Sequence, residues 1–332
     1  MPYARNFQSV APGISLLLML ACLGGTATTA LAQNEKPDPV TKLTVVDWQQ
    51  TGEPPSGPYG VVIEHDPGLA THTIYRPSEL TLDKHPVLVW GEGACAKNGL
   101  SFPEYLSEIA SYGVVILADG PPIARPAGLP PGAGPGGGPG PGAGGIPSAA
   151  SMLNGTALVA AIDWLEAEAA KPGSRFYRKV DVARVAAMGM SCGGLMSYGA
   201  STDPRVATVG IWNSGLLPDE SDPNANGRIY AGIHGSVIIV TGGESDIAYA
   251  NGKRDFELMP EQVPAFYAAY PSVGHGGTYH EDNGGPYSAV AVAWLKWQLQ
   301  GDTSASGRGF FVGGTCGICK DDNWQTASRS LR

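Results

Sequence analysis

"VAAMGMSCGGLMSYG", residues 185–199, sets one serine between small residues directly after a short apolar run. Residues 185–190 have the length and apolar character of a buried strand, and residues 193–201, "GGLMSYGAS", those of a helix that begins on glycines. A strand that turns into a helix within a residue or two brings backbone segments close together. Side chains at 189 and 193 would clash there, and both positions are glycine. Gly189, Ser191 and Gly193 complete G-x-S-x-G, a weak pattern alone that gains its force from the strand before it and the helix after it. Such a corner lifts the Ser191 hydroxyl above the sheet edge. The helix start aims N–H groups and a positive dipole end at the same point.

The sequence around this corner repeats strand then helix. "PVLVWG" (86–91) and "VVILAD" (114–119) read as buried strands. Between them "SFPEYLSEIASYG" (101–113) reads as a helix, with Ser101 as cap and Pro103 and Glu104 in the first turn. Tyr105, Leu106, Ile109 and Tyr112 share one face of it. "ASMLNGTALVAAIDWLEAEAAK" (150–171) predicts a mostly helical segment that stops at Pro172-Gly173. After the corner come "VATVGIW" (206–212), "GSVIIVTGG" (235–243) and "AFYAAYPSVG" (265–274), the last predicted strand, then a closing helix, "PYSAVAVAWLKWQLQ" (286–300). "LTVVDWQQ" (43–50), "YGVVIEHD" (59–66) and "THTIYRP" (71–77) are short strand candidates with an antiparallel character. The pattern predicts an α/β fold: one mostly parallel sheet, covered by helices on both faces, with antiparallel strands at its N-terminal side. No second core is visible, so residues 33–332 are expected to form one domain.

The chain has 332 residues, 43% of them hydrophobic and 15% charged, enough for one well-packed core. A formal net charge of -9 disfavours a nucleic-acid surface, which needs clustered Lys and Arg. Residues 1–32 read as a secretory signal peptide: Arg5 in a polar start, an apolar run from Ile14 to Cys22, and Ala30-Leu31-Ala32 ahead of Gln33. That run is short for a membrane span. The expectation is a secreted or periplasmic protein with no membrane anchor after processing. "PPIARPAGLPPGAGPGGGPGPGAGGIPSA" (121–149) has no periodicity and predicts an exposed, partly mobile loop at the carboxyl edge of the sheet. It is either a rim over a ligand site or a tolerated insertion.

A serine hydroxyl needs a base, and the base an orienting acid. His65, His72 and His85 fall on or near the early strands, and His234 at a strand start, the wrong end for a site at the carboxyl edge. "PSVGHGG" places His275 just past the last predicted strand among glycines, with His280 in reserve. "VTGGESDIAYANG" offers Glu244 and Asp246 past a strand end, and Asp246 is the preferred acid. Asp255 lies farther on, in a helix, as a surface ion-pair member. Acyl transfer also needs donors for an oxyanion. The Cys192 N–H is one candidate, and Gly93 or Ala94 in "WGEGACAKNG" the second. Glu92 is a candidate pocket residue that either shapes that loop or faces solvent. Trp212 and Asn213 are candidate pocket residues, with core packing and turn capping as equal alternatives; Tyr249 and Phe266 are weaker candidates.

Once Cys22 leaves with the signal, four cysteines remain in an oxidising compartment, with three pairings open. Cys316-Gly-Ile-Cys319 lies in a Gly-rich tail (302–332). It reads as a structural clip rather than a redox motif or half a zinc site, for which two further ligands are lacking. A Cys95–Cys192 bond would tie the donor loop to the nucleophile's neighbour; two free buried thiols are the alternative. No metal or organic cofactor is expected. "DPNANG" (222–227) begins like a calcium loop, but Ile233 stands where a bidentate Glu is required. Residues 154–156, "NGT", match a glycosylation acceptor within the predicted helix.

"THTIYRP", "PVLVWGEGAC", "VAAMGMSCGG", "TGGESD" and "SVGHGG" together resemble a secreted member of the alpha/beta-hydrolase superfamily, near its esterase and dienelactone-hydrolase-like branches, over roughly residues 60 to 300. The resemblance implies an alpha/beta-hydrolase fold with Ser191 as nucleophile, Asp246 as acid and His275 as base. It puts the oxyanion hole at the Cys192 amide and the Gly93–Ala94 region. Ser191 departs from dienelactone hydrolases proper, which use Cys there, and the Gly/Pro insertion departs from the usual lid region. The expected function is an exported serine hydrolase that cleaves small-molecule or polymeric carboxylic esters through an acyl-enzyme. The alternatives are a serine peptidase or amidase, a polymer-directed esterase acting on polyester or on feruloyl or acetyl polysaccharide esters, and a non-catalytic secreted binding protein on the same scaffold.

Overall fold

Runs of Val, Ile and Ala without polar interruption suit strands whose two faces are both covered, and these runs form the centre of the fold. The structure, a computed structural model, describes residues 43–48, 52–123, 148–219, 221–222, 224–314 and 316–331. The expected signal peptide and nearly all of the Gly/Pro-rich segment lie outside the described residues. Six strands run parallel at the centre: β4 (His85–Gly91), β5 (Val115–Asp119), β6 (Val180–Met190), β7 (Val206–Trp212), β8 (Ser236–Thr241) and β9 (Ala265–Ala269). Beside them β1 (Thr44–Val45), β2 (Val61–His65) and β3 (His72–Pro77) pair antiparallel, β3 joining β5. A tenth strand, β10 (Gln325–Arg329), adds antiparallel to β9. The order across the sheet is β1-β2-β3-β5-β4-β6-β7-β8-β9-β10.

Alternate strand residues feed two cores. Leu88, Trp90, Ile116, Met188, Trp212, Ile238 and Phe266 pack under α1 (Pro103–Ser111) and α7 (Gly285–Gln300). Their neighbours Val87, Val89, Leu117, Ala187, Ile211, Ile239 and Tyr267 pack on the other face. That face is covered by α3 (Thr156–Ala170) and α4 (Cys192–Ala200), with Tyr249 and Phe256 of α6 (Tyr249–Leu258) packed against it. This two-fold alternation is what a buried strand imposes on its side chains. Among the described residues no helix is long and apolar enough to cross a membrane.

Several expectations need correction. Ser101 does not cap α1: the N-cap is Phe102, without a side-chain bond, and the Ser101 hydroxyl donates to Asn98 O at 2.8 Å. The mostly helical segment over 150–171 consists of two helices, α2 (Ala149–Met152) and α3, separated by residues 153–155. There the chain presses on α4, and a Cβ at Gly155 would meet Ala200 backbone atoms. Asn154 of the acceptor pattern lies in this break, its Oδ1 accepting from Thr156 N at 3.0 Å. "AFYAAYPSVG" is not the last strand, since β10 follows. Asp255 is not a surface residue. It is fully buried, accepting from Tyr198 OH at 3.0 Å, Tyr230 OH at 2.8 Å and Leu216 N at 2.6 Å. Burial raises its pKa against the pull of these donors. It fastens the segment that leaves β7 to α4, α6 and the short helix α5 (Ala225–Ala231). Asp222 of the calcium-like stretch is paired with Arg228.

Candidate active site

Parallel strands end at one edge, and the loops beyond β4, β6, β7, β8 and β9 gather there. After β6 the chain turns into α4 within one residue. Ser191 has φ 53° and ψ -116°, an unusual backbone for a residue with a side chain, and α4 begins at the next residue. The neighbouring glycines are a steric requirement. A Cβ at Gly91 would stand 2.6 Å from Gly193 Cα, and one at Gly189 would stand 2.7 Å from Gly91 O. The Ser191 N–H donates to Trp212 O at 2.9 Å, and Ser214 Oγ donates to Ser191 O at 2.6 Å, so the backbone of the turn is held from both sides.

The loops after β8 and β9 are stitched together. Gly274 N donates to Gly242 O at 3.0 Å, and a Cβ at Gly242 would run into Gly274. This close approach brings Asp246 and His275 together. His275 Nδ1 lies 2.6 Å from Asp246 Oδ1, and His275 Nε2 lies 3.1 Å from Ser191 Oγ. Asp246 is buried, and burial works to raise its pKa. The bonds from His275, from Gly242 N at 3.0 Å, Ala248 N at 2.9 Å and Asn213 Nδ2 at 2.8 Å outweigh it and hold the carboxyl below its ordinary range. An ionised carboxylate only accepts, so the His275 proton sits on Nδ1 and Nε2 is left to accept from Ser191 Oγ. The arrangement can withdraw the serine proton and hold the imidazolium that results.

Among the described residues, no backbone acceptor outside their own helices takes the N–H groups of Gly93, Ala94 and Cys192. Gly93–Cys95 forms a single 3-10 turn after β4, with Ala94 at φ 55° and Cys95 at φ 52°. Cys95 is bonded to Cys192, Cα to Cα 5.2 Å, so this turn is tied to the first residue of α4. Cys316 and Cys319 form the second disulfide, in the tail between α7 and β10. Lys97 pairs with Asp119 at 2.5 Å and Tyr75 OH donates to Gly99 O at 2.6 Å, anchoring the far end of the same loop.

Glu92 does not face solvent: it is fully buried, neither carboxyl oxygen has a hydrogen-bond partner, and burial pushes its pKa well above the ordinary value. Trp212 is fully buried in the core, its ring against Tyr105 and Tyr287. Phe266 packs on Phe311 in the same core. Asn213 is also fully buried and bonds to Asp246. Tyr249 is half-buried at the start of α6 and packs on the opposite core. Glu244 is exposed. His280 lies 3.5 Å from Glu104 and against the Phe102 ring. His65 and His85 bond to backbone carbonyls, Ala70 O and Gly113 O. Among the described residues no three His, Cys, Asp or Glu side chains gather as metal ligands would. Ser214 carries no signal in the sequence, because its contribution lies in a contact between two loops. No protein-family model matches the chain, and no curated protein matches it either.

Proposed function

We propose that this chain is a serine hydrolase of the alpha/beta-hydrolase fold, cleaving carboxylic esters through an acyl-enzyme. The observation that carries the reading is the hydrogen-bonded series Ser191 Oγ, His275 Nε2, His275 Nδ1, Asp246 Oδ1, at 3.1 Å and 2.6 Å. His275 takes the Ser191 proton as Oγ attacks the ester carbonyl, and Asp246 stabilises the imidazolium. The oxyanion receives the Cys192 N–H and that of Gly93 or Ala94. His275 then returns its proton to the leaving alcohol. In the second half it takes a proton from water, whose oxygen attacks the acyl carbon, and gives it back to Ser191 as the acid departs.

We also read the protein as exported to an oxidising compartment, where its two disulfides would persist. Its substrate is a small-molecule or polymeric ester. The test is a panel of p-nitrophenyl esters from acetate to palmitate, alongside amides with matched acyl groups. Ester turnover with an initial burst of p-nitrophenol, lost in Ser191→Ala, is the expected result. Preferential amide cleavage favours a peptidase or amidase, and no turnover by the folded protein rejects the hydrolase reading.

A further inference from the structure

Asn213 leaves the end of β7 with φ 43°, a left-handed backbone that asparagine tolerates better than most residues with a side chain. Its N–H donates to Val240 O at 2.7 Å. Its carboxamide is fully engaged. Nδ2 donates to Asp246 Oδ2 at 2.8 Å and to Gly274 O at 3.0 Å, with Tyr287 OH at 3.3 Å. Oδ1 accepts from Tyr279 OH at 2.6 Å. The orientation of the amide follows from its partners. Turned over, Oδ1 would face a carboxylate and a carbonyl, two groups that only accept.

Gly274 is the residue before His275. One buried amide group therefore grips the acid directly and the base through its adjoining carbonyl. We propose that Asn213 is a positioning residue that fixes Asp246 and His275 relative to each other, a role that rests on the Ser-His-Asp reading above. The side chain does not touch Ser191, so it acts through the other two groups. Small displacements of reacting groups are costly in rate even when binding is unaffected. Asn suits the position twice: for its backbone, and for two donors and one acceptor on a planar group. Asp would keep the shape but set a second carboxylate against Asp246 and Gly274 O.

The test compares Asn213→Gly, which suits φ 43° and removes the amide, with Asn213→Asp, which keeps the shape and reverses the donor. Wild type and Ser191→Ala run beside them. The readouts are kcat and KM on p-nitrophenyl acetate, the low-field proton resonance of the His275–Asp246 hydrogen bond, and the melting temperature. Expected are folded variants, a kcat lower by about 10²-fold with KM changed less than about 2-fold, and a shifted or broadened low-field resonance. Wild-type kcat and an unchanged resonance in folded Asn213→Gly overturn the proposal. Loss of folded protein in both variants also overturns it, because the side chain would then be a determinant of the fold. An inactive wild type, or an active Ser191→Ala, strikes instead at the triad on which the proposal rests.

Discussion

Removing the Cys95–Cys192 bond tests whether the donor loop must be held for the chemistry to proceed. The cleanest perturbation is the double variant Cys95→Ala, Cys192→Ala, which leaves no unpaired thiol and spares Cys316–Cys319. The bond joins residues 97 apart in sequence. Chain entropy alone gives about 4.7 kcal/mol for a loop of that order, and measured values usually fall at about 2–4 kcal/mol. For a chain of this size, such a loss lowers the melting temperature by roughly 3–6 °C, leaving the protein folded at 25 °C. The local effect is separate. Ala94 and Cys95 both hold left-handed backbones, each costing about 1–2 kcal/mol, so the freed turn has reason to relax. Losing one oxyanion donor costs about 10²–10³-fold in kcat, or about 2.7–4 kcal/mol of transition-state stabilisation. The Lys97–Asp119 pair and the Tyr75–Gly99 bond still anchor the far end of the loop, so the relaxation stays local. The assay is p-nitrophenyl acetate turnover at 25 °C with melting measured on the same samples. The expected result is a kcat at least about 10²-fold lower in a folded protein, and wild type reduced by a dithiol then reoxidised should recover. Full kcat in the folded double variant would refute the reasoning.

Further outcomes follow from the same geometry. Asp246 is held below its ordinary pKa of 3.8, so its carboxylate adds stability that is complete above that value and is withdrawn as pH falls through the lower folded value. The melting-temperature difference between wild type and Asp246→Asn should therefore shrink below about pH 4; a difference constant from pH 7 to pH 3 contradicts this. Gly193→Ala would drive a Cβ into the Gly91 backbone and should cost at least about 1–3 kcal/mol, measured by urea unfolding. Gly314→Ala, with open space around it and no left-handed backbone, should be nearly neutral.

The parts of the fold that sequence made readable are those where local sterics and burial coincide. Val185–Met190 must be covered on both faces, and Gly189 and Gly193 must lack side chains, so the corner at Ser191 follows from composition. "TGGESD" and "SVGHGG" are similar: the glycines that let those loops touch also mark where Asp246 and His275 meet. What stayed hidden depends on partners distant in sequence. Gln325–Arg329 has the mixed polarity of an exposed edge and becomes a strand only because β9 offers a free side. Asp255 looks like a helix-surface carboxylate until Tyr198 and Tyr230 close over it. Asn213 is legible only as a pocket or turn-capping candidate, since its partners lie 33, 61, 66 and 74 residues away. The break at Gly155 coincides with a close approach to α4, which no helical pattern reports.

The most direct measurement is covalent labelling with a fluorophosphonate, located by peptide mass spectrometry. The predicted result is one adduct, on Ser191, absent from Ser191→Ala and formed far more slowly in His275→Ala. A folded wild-type protein that takes no label at Ser191, or labels equally fast without His275, would contradict the assignment of a hydroxyl activated by that imidazole.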